Sequence, residues 1–221
     1  MKVSVPPSPI HQMGRIERPS SWQKESTEKH FVILDQRVLT SAQFYQEMNT
    51  ALSRAPGVKS AFLFIHGFNV PFVDAAYRTA QISADLGLSS VPVFYSWPSN
   101  GSLPAYTWDF TAASQTIPRL VAVGAPVSLY ASQADKALTA SMGLWGGVRA
   151  GSAGADLIVL PGLETMDASN VNTDFLGHSA YGDSRILLGD LAALFRGFGA
   201  SSRFGLTKVP TATGTYWEFK R

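Results

Sequence analysis

Residues 62–70 read FLFIHGFNV, an apolar run closed by His66 and Gly67. Its composition is that of a buried strand. A His-Gly-X turn at the carboxyl end of a strand is tight enough to present the backbone N–H of X to a developing oxyanion. Here X is Phe68, so Gly67 and Phe68 form the candidate oxyanion hole; a plain tight turn leading into a helix would leave the same residues. Such a hole needs an acid and a base to serve. Asp135 stands five residues beyond Tyr130, in a polar stretch after a strand-like run, where a carboxylate can orient an imidazole and stabilise its charged form. His178 follows forty-three residues later in LGHSAY, the chain order of acid then histidine that acyl transfer on an α/β sheet uses. Each has a plainer alternative, a solvated loop carboxylate and a structural loop histidine. Asp167 and Asp174 are rival carboxylates, the first in a strand end and the second in a turn.

The nucleophile is the missing part. An elbow needs its serine on a sharp turn from strand into helix, with small residues two positions to either side, and no Gly-x-Ser-x-Gly occurs in the chain. Ser141, in TASMG, has Gly143 on one side but Thr139 on the other, and the preceding DKALTAS reads as helix rather than strand. Ser132 stands at a strand end with bulky Tyr130 two residues before it, and Ser114 lies in helix-like sequence.

The elements that must carry these residues follow from periodicity. HFVIL at 30–34 reads as a strand, and SAQFYQEMNTALSRA as a helix with Phe44, Met48 and Leu52 on one face, stopped by Pro56-Gly57. Val58 to Ile65 is the next strand. Pro71 suits a first helical turn, Ala75, Ile82 and Leu86 share a face, and Gly87 ends that helix before the strand VPVFYSW. The alternation of short apolar strands with amphipathic helices specifies an α/β protein whose mostly parallel sheet is flanked by helices. Further on, VAVGAPVSLYAS is another strand, LIVLPGLETMDAS one or two short ones, and the last helix starts near Asp183 with Leu187, Leu191, Leu194 and Phe198 in a stripe closed by Gly199. The expected organisation is an irregular arm over 1–29, one domain over 30–199 and a tail over 200–221 that docks its aromatic tip.

Bulk properties narrow the function classes. The 221 residues suffice for one sizeable core. Eighteen Lys and Arg against sixteen Asp and Glu leave +2, and no window interleaves basic with aromatic residues, which argues against nucleic acid as partner. No run approaches the ~18 apolar residues of a membrane span. The expectation is a soluble chain, cytoplasmic as it begins here and exported only from a longer N-terminus. With no cysteine and four scattered histidines, neither a metal nor a cofactor is expected.

Several stretches taken together carry a family signature: VSVPP, GRIERP and KHFVIL near the start, then FIHGFNVPFVDAAYRTAQ, PVFYSWPSNGSLPAYTWD, VSLYASQADKAL, MDASNVNTDFLGHSAY and LLGDL. In this order they resemble the bacterial α/β-hydrolase family of unknown function, whose members are esterase- and lipase-like. The resemblance implies a three-layer α/β-hydrolase-like fold, a small-molecule ester as substrate or ligand, an oxyanion hole at Phe68, Asp135 as acid and His178 as base. It also implies a nucleophile elbow after the SWPSNG region and a further strand before LYAS. Neither is present: TWDFTAAS runs directly into QTIPRLVAVGAPVSLYAS, as though two βα units, on the order of 60 residues, had been removed near Ser114. The expectation is therefore a shortened α/β-hydrolase-like protein that keeps acid, base and oxyanion hole without the nucleophile. The alternatives are a non-catalytic binding module and a deletion product of a longer hydrolase.

Overall fold

In a computed structural model of the 221-residue chain, the residues described are 1–57, 59–66, 70–96, 127–133, 153–171 and 185–220. They fall into two compact units: the first comprises Met1–His66 and Val70–Ser96, and the residues described from Val127 onward belong to the second.

The first unit begins with a short antiparallel pair, β1 (Lys2–Ser4) on β2 (Val32–Asp35), with Ser4 opposite Val32. The rest of the N-terminal arm winds irregularly between these strands. Helix α1 (Ser41–Arg54) starts where it does because Thr40 and Gln43 make a capping box: the Thr40 hydroxyl accepts from the Gln43 N–H at 3.3 Å, and the Gln43 side chain accepts from the Thr40 N–H at 2.9 Å. No residue of α1 is fully buried, and Phe44, on its expected apolar face, is 46% exposed.

Strand β3 (Ala61–Ile65), helix α2 (Phe72–Asp85) and strand β4 (Val91–Tyr95) form a βαβ unit with the two strands parallel and in step, Ala61 opposite Val91 and Ile65 opposite Tyr95. Of the stretch expected as strand from Val58, which itself lies outside the described residues, Ala61–Ile65 is strand. Ala75, Ala76, Tyr77 and Ile82 bury the inner face of α2. Gly87, at φ +57°, closes the helix in a Schellman motif, its N–H donating to Ala84 and that of Leu88 to Ser83.

Among its described residues, the second unit holds a four-stranded sheet of order β5 (Val127–Ala131), β6 (Leu163–Asp167), β8 (Gly214–Phe219) and β7 (Leu206–Thr211). The first three run parallel, and β7 closes the edge as an antiparallel hairpin with β8. Residues 206–219 therefore extend the sheet, where the sequence reads as a tail. Pro210, which has no N–H to give a ladder, is tolerated because β7 is the outer strand of the sheet. Of LIVLPGLETMDAS, only Leu163–Asp167 is strand.

Helix α3 (Arg185–Phe195) packs Leu187 against Met166, Ala168, Val171, Leu206 and Phe219. It ends earlier than its periodicity suggests. Gly197 takes φ +85°, its N–H donates to Leu194 and that of Phe198 to Ala193, so Phe198 falls outside the helix and is 49% exposed. Gly199 does not close the helix, because Gly197 reaches the left-handed conformation first.

Candidate functional site

Gly67, Phe68, Asp135, Ser141 and His178 lie outside the described residues, as do Ser114 and Asp174. What is described are the strand ends from which these residues are reached. Each unit has such an edge.

In the first unit, the step-for-step pairing of β3 with β4 brings the residues that follow them side by side. His66 and Ser96 meet there, His66 Nε2 lying 3.0 Å from Ser96 Oγ. His66 is 3% exposed. A serine hydroxyl at this distance from a ring nitrogen has the spacing of a nucleophile and its base. Its evident work is mechanical: the bond ties the end of β3 to the end of β4 immediately before Gly67. Ser96 escapes sequence reasoning because it reads only as the end of a strand. The signal that finds it is the expectation that β3 and β4 are parallel neighbours, which makes the first residue after each a pair.

In the second unit, β5 and β6 pair from Val127 with Leu163 to Ala131 with Asp167. The Ala168 N–H then donates to Ala131 O at 2.7 Å, carrying the ladder one step beyond the strands. Past that point the edge is built from side chains. Asp167 Oδ1 accepts the Ser169 N–H at 2.8 Å and the Ser169 hydroxyl as well, and Ser169 Oγ in turn accepts the Gln133 N–H at 2.9 Å. This Asx-type turn engages Asp167, the rival acid, in holding two strand ends together. Gly154, at φ +79°, lies so close to the Gln133 amide that a Cβ there would overlap it. Ser132 is 2% exposed, which suits a packed residue and not a nucleophile that must meet substrate.

One step below this edge, a buried ionic cluster locks the sheet to α3. Arg203, wholly buried, donates through Nη1 to Asp190 Oδ2 at 3.0 Å and to the Tyr130 hydroxyl at 3.2 Å, and through Nη2 to Glu164 Oε2 at 2.6 Å. Tyr130 itself donates to Asp190 Oδ2 at 2.5 Å. Glu164 also accepts the Ala200 N–H at 2.8 Å and the Ser128 hydroxyl at 3.3 Å. Burial, and then the neighbouring Asp190 charge, push the Tyr130 phenol well above its ordinary value, so it remains a donor. Burial also raises Asp190, against the lowering effect of Tyr130 and Arg203. The LYAS and LLGDL stretches thus owe Tyr130 and Asp190 to a structural lock around an arginine from the supposed tail.

Residues 40–124 match the model of a family described as alpha/beta hydrolase of unknown function. The match covers α1, β3, α2 and β4, and with them the FIHGFNVPFVDAAYRTAQ and PVFYSWPSNGSLPAYTWD stretches. No curated protein and no solved structure matches the chain.

Proposed function

We propose, from the premise that residues 40–124 belong to a family of alpha/beta hydrolases of unknown function, that the chain follows the plan of a serine ester hydrolase but lacks the nucleophile elbow. In this reading Gly67 and Phe68 supply the oxyanion hole, Asp135 is the acid and His178 the base. The observation that supports it best is the parallel pairing of β5 with β6. Asp135 lies four residues past Ala131 and His178 eleven past Asp167, so the segments leading to acid and base leave the same edge of one sheet. Ligands of α/β sheets bind beyond the carboxyl ends of their strands.

With acid and base in place, an imidazole can take a proton from a hydroxyl and return it to a leaving alcohol, and the hole can hold the intermediate's oxyanion. Without a serine on an elbow there is no acyl-enzyme. Removing the nucleophile from a complete triad costs a factor on the order of 10⁶ in rate, which leaves a pocket that binds an ester and barely turns it over. Treatment with a fluorophosphonate probe tests this. The expected result is no stoichiometric labelling and p-nitrophenyl acetate hydrolysis at the background rate. One serine labelled to completion, with hydrolysis abolished when that serine becomes alanine, would overturn the absence of a nucleophile.

A further inference from the structure

We infer that the turn of the N-terminal arm over residues 10–17 is held by a protonation-dependent latch centred on His11, closed when the imidazole is charged and released when it is neutral. Both ring nitrogens are committed to carboxylates: Nδ1 lies 2.8 Å from Glu17 Oε2, in the arm, and Nε2 lies 2.8 Å from Asp85 Oδ1, in the last turn of α2. An ionised carboxylate only accepts hydrogen bonds, and a neutral imidazole has one N–H to give. Only the doubly protonated ring satisfies both partners; deprotonation sets a lone pair against a carboxylate oxygen.

The surroundings sharpen the dependence. The side chains of His11, Glu17 and Asp85 are 12%, 17% and 2% exposed, so water offers little relief. Asp85 spends its other oxygen on the Gly14 N–H at 2.7 Å and on the Gln81 amide, and Glu17 spends its other oxygen on the Gln12 N–H at 2.9 Å. The two carboxylates thus grip the turn as well as the ring. Arg78 is linked to the cluster through Gln81, whose side-chain oxygen accepts from its Nη1 at 2.9 Å. The His11 ring makes a T-shaped contact with Phe31, 5.4 Å between centroids, and Phe31 meets Tyr77, whose ring carries Arg18. Burial works to lower the His11 pKa. The bonds and charges of Glu17 and Asp85 outweigh it, and the pKa is raised from 6.5. A raised folded-state pKa gives stability that is fully present below the unfolded value near 6.5 and lost as pH rises through the folded value. The latch therefore opens on the alkaline side, through deprotonation.

The test is a pH titration of the full chain by NMR, following the His11 imidazole together with the exchange protection of the Gly14 amide, corrected for intrinsic exchange. The expected outcome is a His11 midpoint above 6.5 and a Gly14 protection factor that falls about tenfold or more through that same midpoint. In His11→Gln, Gly14 is expected to be weakly protected at every pH. A His11 midpoint at or below 6.5, or Gly14 protection unchanged across it, would overturn the latch. The wild-type titration decides the matter even if His11→Gln does not fold.

Discussion

Two polar clusters tie separate pieces of chain together, one in each unit, and they do so with opposite kinds of cation. Arg203 sits in the second unit with no exposed side-chain surface against an equally buried Asp190, and its charge is permanent. His11 sits in the first unit between two carboxylates, and its charge exists only below a pKa that the same carboxylates raise. Both clusters bridge long separations, 73 residues from Arg203 to Tyr130 and 74 from His11 to Asp85. The difference lies in what each fastens. Arg203 anchors strands and a helix of the core with a charge that does not itself titrate. His11 fastens an irregular turn to the last turn of a helix.

Breaking the permanent cluster is expected to have the largest effect. Asp190→Ala removes the fully buried one of the two carboxylates paired with Arg203, and the expected cost is about 3–5 kcal/mol, read from the urea midpoint. If the cost is below ~1 kcal/mol, Arg203 is not committed to Asp190 as the geometry indicates, and the contrast with His11 fails. Tyr130→Phe removes one donor to the same carboxylate while keeping the ring, which stacks on Phe219 with centroids 6.5 Å apart. The expected cost is about 1.5–3 kcal/mol, the range for a hydrogen bond to a charged group. A value equal to that of Asp190→Ala would mean that the phenol, and not the guanidinium, is the main partner of Asp190.

What could be read in advance follows the same division between near and far. The βαβ unit is local, so an apolar run, a Pro at a helix start, a period-3.6 stripe and a Gly at its end located β3, α2 and β4 to within a few residues. Gly197 and Gly199 are equally capable of ending α3, and only the backbone bonds to Leu194 and Ala193 choose between them. The hairpin over 206–219 hid behind Pro210 and a polar, Thr-rich composition, although Tyr216, Trp217 and Phe219 carry strand propensity. Of the candidate site, the sequence proposes His66-Gly67-Phe68, Asp135 and His178 by residue type and chain order, and of these His66 alone lies among the described residues. The His66 to Ser96 bond was not legible, because it depends on which strands are neighbours. The His11 and Arg203 clusters were invisible for the same reason, as no local pattern announces a partner more than 70 residues away.

Salt separates the two clusters by a smaller effect, and the sign is informative. At 1 M ionic strength the screening length is about 3 Å, comparable to the ion-pair distances, and it acts on groups that solvent reaches. Glu17 and His11 keep some exposure, whereas the Asp190–Arg203 pair has none, although Glu164, the other partner of Arg203, is 34% exposed. Raising NaCl from 0.1 to 1 M should therefore lower the His11 midpoint toward its ordinary value by a few tenths of a pH unit, on the order of 0.5 kcal/mol. The stability gap between wild type and Asp190→Ala should barely move, since a pair sealed from water is screened little. A gap that closes with salt while the His11 midpoint stays fixed would reverse the assignment, making Arg203 the solvent-coupled cluster and His11 the sealed one. The latch would then need a source of pH sensitivity other than the attraction of its two carboxylates.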